Sequence, residues 1–158
     1  MRLSVSLVTY MQSPEELRPV MESVTHSPLV ERLQIIDNSP TNELEPFLNR
    51  FPSVEYLHNP SNPGFGASHN IALRRSLEEN IPYHLIVNPD VSFDSSILDE
   101  LVRYMDETHE AGLIPLRSSI RTDRCSTIAN CFPHHGIGLY GDSHLWNGAR
   151  SGSTDGLS

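Results

Sequence analysis

Lysine is absent from this 158-residue chain, and its eleven basic residues, all arginine, face twenty carboxylates, for a net charge of −9. Without a cluster of cations to neutralise phosphates, the chain is not expected to bind nucleic acid. An anionic small molecule is still compatible, because a metal ion and backbone N–H groups can meet its charge. Apolar residues make up only 37%, and no run approaches the roughly 18 residues of a membrane span. Met1 to Tyr10 is too short and polar for a signal peptide. These features predict a cytoplasmic protein, at most peripheral to the inner membrane face. Cysteine is scarce too: Cys125 and Cys131 alone make no disulfide framework. With His134, His135 and His144 they offer zinc donors, but five residues between the cysteines exceed the usual knuckle spacing, so no zinc site is expected.

What is present is an alternation of strand and helix signals. Leu3 to Thr9 reads as a short buried strand. Ser13-Pro14-Glu15-Glu16 combines an N-cap, a proline at the first helical position and a capping-box glutamate. The helix it starts should run to about His26, with Leu17, Val20, Met21 and Val24 on one face. Leu33 to Ile36 predicts a second strand, closed by the turn cluster Asp37-Asn38-Ser39-Pro40. A short helix over Leu44 to Arg50 and a third strand over Val54 to Leu57 follow. The loop Asn59 to Gly66, rich in Asn, Pro and Gly, leads into a helix from about Ala67 to Glu79. Tyr83 to Val87 is a fourth strand ending at Asn88-Pro89-Asp90. Asp94 or Ser95 caps a last helix whose inner face is Ile97, Leu98, Leu101, Val102 and Met105, and a fifth strand begins at Gly112 to Ile114. Such spacing implies βαβ units and a mostly parallel α/β sheet. Ligands bind such sheets at the carboxyl ends of the strands, where Asp37, the glycine loop and Asn88 to Asp90 should meet.

From about Pro115 the pattern stops. Residues 1–114 therefore read as one α/β unit and residues 115–158 as an irregular tail, rich in Ser and Gly, without helix or strand periodicity.

Within residues 1–114, Asp90 closes an apolar strand, and a hard carboxylate oxygen there suits Mg²⁺ or Mn²⁺, which would neutralise a diphosphate. Asn-Pro-Asp is also common in plain turns. Asp37 is placed to accept a hydrogen bond from a ribose hydroxyl or a base N–H, or to make an Asx-turn. In Asn62-Pro63-Gly64-Phe65-Gly66 the glycines permit close backbone approach to a ligand, and the helix behind them offers N–H groups to phosphate. The spacing is neither of the common phosphate-loop patterns, and a simple helix-leading loop is the alternative. His69 and Asn70 lie in the first turn of that helix. Thr9 and Tyr10 end the first strand, where Tyr10 can meet a base or pack.

Val5 to Tyr10, Ile35 to Ser39, Asn59 to Asn70 and Leu85 to Val91 resemble, in order and spacing, the first half of family 2 glycosyltransferases, particularly bacterial rhamnosyltransferase-type enzymes. The resemblance implies a GT-A, Rossmann-like fold with an incomplete sheet. It implies a nucleoside-diphosphate sugar donor of the dTDP-rhamnose or UDP-sugar type, a polysaccharide or lipid-linked acceptor, and inversion by direct displacement. By the same resemblance Asp37 would bind the nucleoside, with Thr9 and Tyr10 beside the base. Asn62, Gly64, Phe65 and Gly66 would line the donor pocket with Asn70 near it, and Asp90 would hold the metal, with Asn88 in place of the family's first acid. The family's general base lies in its second half, and no segment here matches it, so no catalytic residue is identified and impaired turnover is expected. A string typical of the family beyond this point, read one nucleotide out of register, yields Arg121 to Ile137. The tail is accordingly expected to be an out-of-frame product. Two alternatives remain: a non-catalytic nucleotide-binding or interaction module, and a sugar-activating nucleotidyltransferase, for which only Arg74 and Arg75 lie near the glycine loop.

Overall fold

In β1 (Leu3–Thr9) every residue is buried, as expected of a strand covered on both faces. The computed structural model describes residues 2–108, 112–117 and 127–133. After β1 come α1 (Pro14–Thr25), β2 (Val30–Asp37), α2 (Glu45–Leu48), β3 (Val54–His58), α3 (Phe65–Glu78), β4 (Tyr83–Val87), α4 (Ser96–Glu107), β5 (Ile114–Arg117) and β6 (Thr127–Pro133). They form a sheet in the order β3-β2-β1-β4-β6-β5. β1 to β4 are mutually parallel, and β6 is antiparallel to both neighbours. The chain builds outward from β1 through β2 to β3, then returns to place β4 on the other flank of β1. That reversal marks the crevice where open α/β sheets take ligands.

The local signals explain most of these elements. The capping box at Ser13 forms, with the Ser13 N–H donating to Glu16 Oε2 at 2.8 Å and the Glu16 N–H donating to Ser13 Oγ at 3.3 Å. Pro19 lies inside α1, and its own carbonyl accepts from Ser23 Oγ at 3.0 Å. Ser23 Oγ in turn accepts from the Phe93 N–H at 2.9 Å, pinning the loop after β4. At α4, Ser95 occupies the cap position without a side-chain bond; Asp94 does the work instead, accepting from the Ser96 N–H at 2.9 Å.

The two faces of the sheet differ in chemistry. One carries the apolar core, where Leu3, Val5, Leu7, Leu33, Ile35, Leu85 and Val87 meet α1, α2 and α4. Full burial of such a side chain contributes about 1.5–3 kcal/mol. The other face is covered by α3 and has only a small apolar patch of Val8, Ile36 and Ala72. Around that patch Ser4, Ser6, Gln34, Ser76, His69 and His84 are all buried.

The structure moves several boundaries. α3 begins at Phe65 instead of Ala67, and β2 begins at Val30 instead of Leu33. The short helix is confined to Glu45–Leu48. Residues 115–158 are not patternless throughout: 115–117 belong to β5, and 127–133 form β6, whose Cys131 is buried in the core. The rest of the tail, including Cys125, His134, His135 and His144, lies outside the described residues.

Candidate functional site

Four parallel strands deliver their last residues to one edge. Thr9 is paired with Asp37, and Asp37 with His58. Leu7 is paired with Val87, the last residue of β4, and the Asn88–Asp90 turn follows at the same edge, with β1 between β4 and the strand that ends at Asp37. The loop after β3 carries the chain from His58 on the same edge into α3.

Asp37 organises this edge. Its carboxylate is fully buried. Oδ1 accepts from Thr9 Oγ1 at 3.1 Å, from the Ser39 N–H at 3.1 Å and from Ser39 Oγ at 2.5 Å. Oδ2 accepts from the Tyr56 hydroxyl at 2.8 Å. An ionised carboxylate offers about two lone-pair sites on each oxygen; three donors converge on Oδ1 and one on Oδ2. Asp37, expected to meet a ribose or base, joins the ends of β1, β2 and β3 and borders the notch at this edge. Burial, and then the bond to Asp37, push the Tyr56 phenol well above its usual range. Ser39 Oγ also accepts from the Met11 N–H at 2.8 Å, and His58 Nε2 contacts the Ser39 carbonyl at 2.9 Å. Next to it, the Asn38 amide exchanges two bonds with Ser68 Oγ, at 2.8 and 3.0 Å. The ends of β1, β2 and β3 and the first turn of α3 are thereby tied together. Ser39, Tyr56, Asn38 and Ser68 were not picked out individually from sequence. Ser39 had a signal, a hydroxyl two residues after a turn aspartate; Tyr56 had none, since its bond depends on the β2–β3 register.

The other residues lie around this knot. Thr9 is buried beneath it, and Tyr10 is 53% exposed above it. Met11, Gln12, Asp37, Ser39, Thr41, Glu43 and Leu44 line a notch of about 50 Å³, smaller than the 300–1,000 Å³ typical of closed ligand pockets. Gly64 sits ahead of α3 at φ 96° and ψ 167°, a region open essentially to glycine alone. It starts the helix, whose first N–H groups, those of Phe65, Gly66 and Ala67, have no partner within the helix. Asn62 has φ 43° and is exposed, as are Phe65 and Asp90, while Asn88 and Gly66 are half-buried and Asn70 is buried. Among the described residues no group of three or more His, Cys, Asp or Glu is gathered as a metal site. One exposed carboxylate with a neighbouring amide fits Mg²⁺ or Mn²⁺ only as a partial shell, the kind completed by substrate phosphate oxygens and water.

Arg75 does not serve the loop. It pairs with Glu55 and lies 3.6 Å from Glu79, while Arg32 bonds the same two carboxylates at 2.6 Å each. This cluster is near the far end of α3, about 15 Å from Phe65 along the helix. A larger cleft of about 380 Å³ between α4 and Ile114 is lined by none of these edge residues. Among the described residues, no helix is long and apolar enough to cross a membrane.

A parallel sheet of order 3-2-1-4 with two further strands beside β4, and a polar carboxyl edge at the reversal, defines the GT-A class of α/β proteins. Residues 4–128 match glycosyl transferase family 2, and the chain belongs to that family. It is 25% identical over 114 residues to the low-salt glycan biosynthesis hexosyltransferase Agl10 of Haloferax volcanii, covering 72% of this chain and 36% of that protein. It is similar in fold to TarS (residues 1–349) of S. aureus in complex with UDP, with TM-score 0.59 and 18% identity over 78% of this chain and 38% of that fragment. The mannosyltransferase PcManGT of Pyrobaculum calidifontis, in complex with GDP-Man and Mn²⁺, gives TM-score 0.60 and 14% identity over 83% of this chain and 44% of that one. The chain thus spans less than half the length of each of these proteins.

Proposed function

We propose that this chain binds the donor of a glycosyl transfer, a nucleoside-diphosphate sugar of the UDP or dTDP-rhamnose type, at the carboxyl edge of its sheet. The observation that supports the reading is the buried Asp37 carboxylate, which ties the ends of β1, β2 and β3 together at one edge. The nucleoside would lie in the notch beside Tyr10, Gln12 and Ser39. The diphosphate would meet the N–H groups of Phe65, Gly66 and Ala67, since a helix N-terminus favours anions. Asp90, with Asn88 beside it, would hold Mg²⁺ or Mn²⁺, and a bound cation neutralises diphosphate charge. The sugar would go to a polysaccharide or lipid-linked acceptor with inversion at the anomeric carbon. Direct displacement requires a base for the acceptor's hydroxyl proton, worth about 10²- to 10⁴-fold, and no residue of this chain is assigned that role. A non-catalytic nucleotide-binding module would share the donor site and differ only in never transferring sugar. The out-of-frame origin of the tail is a separate proposal. Resequencing that showed one uninterrupted frame would end it.

Calorimetry with UDP and dTDP, with and without Mn²⁺, tests the donor site. Metal-dependent binding is expected, lost in Asp90→Ala while circular dichroism shows the fold retained. A folded wild-type chain that takes up neither nucleotide in the presence of metal would refute the reading.

A further inference from the structure

Under α3 runs a chain of buried polar groups that the donor site does not use. Ser6 Oγ lies 2.8 Å from His69 Nδ1 and 2.8 Å from His84 Nε2. Ser76 Oγ lies 2.7 Å from His84 Nδ1, 2.8 Å from Ser4 Oγ and 3.0 Å from the Ala72 carbonyl. The five side chains are all fully buried. His69 Nε2 is a buried ring nitrogen with no partner.

The proton count fixes the direction of these bonds. Three hydroxyls and two neutral imidazoles bring five protons to the five contacts. One arrangement fills them all: Ser4 and His84 Nδ1–H donate to Ser76, Ser76 donates to the Ala72 carbonyl, Ser6 donates to His84 Nε2, and His69 Nδ1–H donates to Ser6. It leaves only a lone pair, on His69 Nε2, without a partner. The reverse arrangement takes the Ser76 proton away from Ala72 and leaves a buried N–H on His69 Nε2. Orphaned N–H groups are the rarer of the two defects, and one further bond is lost, so the first arrangement prevails. Both rings stay neutral because burial pushes each down to about 3, His84 further disfavoured by charge on His69.

His69 stands four residues after Phe65, so the two share a helix face. Their rings meet edge to face with centroids 4.3 Å apart at 70°. Phe65 is the exposed first residue of α3, directly after Gly64, while His69 is held from below. We infer that His69 is a positioning residue of the donor loop: the relay from Ser76 through His84 and Ser6 fixes its ring as the neutral Nδ1–H tautomer, and the fixed ring props Phe65 at the rim of the donor crevice. This deepens the donor-site reading and rests on it. The relay thus couples the middle of α3 and the flanks of β1 and β4 to an aromatic side chain at the edge.

Two measurements on the full chain test it. Long-range ¹H–¹⁵N correlation spectra of the wild type, with His69 assigned through His69→Asn and His84 through His84→Gln, should show both rings as neutral Nδ1–H tautomers at pH 7. An Nε2–H or doubly protonated signal for either would overturn the relay. Ser6→Ala, a small change compatible with folding, should admit the Nε2–H form of His69. UDP titrations in Mn²⁺ then form a double-mutant cycle with Phe65→Ala and His69→Asn, the asparagine amide standing in for the Nδ1–H bond to Ser6. Each change should weaken UDP binding about fivefold, the scale of an aromatic contact, and the double variant should be no weaker than either single one. Additive losses, or an unchanged affinity in His69→Asn, would show that His69 serves stability alone. If His69→Asn does not fold, Ser6→Ala takes its place in the cycle with the same expectation. A wild type that binds no nucleotide sinks the donor-site reading and the positioning role together, while the tautomer signals still decide the relay.

Discussion

Gly64 turns the chain into α3 at φ 96° with nothing within 4 Å of where a Cβ would stand. Space is therefore not what excludes a side chain; backbone energy is. Gly64→Ala is expected to lower unfolding free energy by about 1–3 kcal/mol, the range for a residue held in such a conformation, as read from urea denaturation. An unchanged midpoint would show that the loop relaxes freely. Met11, which lines the notch, also has positive φ, at 59°, and is anchored by its N–H to Ser39. At this scale the sequence was partly legible. Gly64 and Asp37 announce themselves by type and position. That Asp37 bonds Thr9 and Tyr56 could not be read, because these partners come from two other strands and depend on register.

The element with the clearest consequence is α3. Its buried face carries Ser68, His69, Ala72 and Ser76, small and polar residues laid on the polar flank of β1 and β4. His69 and His84 are depressed from the ordinary 6.5 to about 3, so the unfolded chain binds more protons between those values. Stability is accordingly full above about pH 6.5 and is lost as pH falls toward 3. With two such groups the loss should reach several kcal/mol by about pH 5. Urea midpoints between pH 7.5 and 5 would show it, and His84→Gln should flatten the slope; a midpoint constant over that range would contradict the burial of neutral rings. The ordinary helix and strand signals were legible in α1, β1 and β4. Their apolar residues repeat at the right period, and Ser13, Pro14 and Glu16 mark a start. The polar seam was not, since a serine or histidine at a helix position reads as a surface residue until the facing strand is known. β6 was missed for a related reason: Thr127–Pro133 has no alternation of its own, and pairing with β4 makes it a strand.

At the scale of the whole molecule the proposed donor site is an open crevice on a chain that covers 36% of Agl10 and 38% of TarS residues 1–349. Nucleotide binding to the native state alone must raise global stability. At free UDP about 100 times its dissociation constant, with Mn²⁺, the unfolding free energy should rise by about 2.7 kcal/mol. A thermal scan that shifts with UDP and Mn²⁺ together, and not with Mn²⁺ alone, is the expected outcome; equal shifts with both would indicate nonspecific cation binding.

The strand order also has a temporal side. β1 is central, yet its second neighbour is β4: Leu3 pairs with Val30 on one flank and with Tyr83 on the other. As the chain leaves the ribosome, β1 can pair with β2 early, but its other edge stays bare until β4 has been synthesised. Pairings that distant in sequence slow folding and leave bare edges open to association. For this nascent chain, the interval between the emergence of β2 and that of β4 is therefore when a chaperone would matter most.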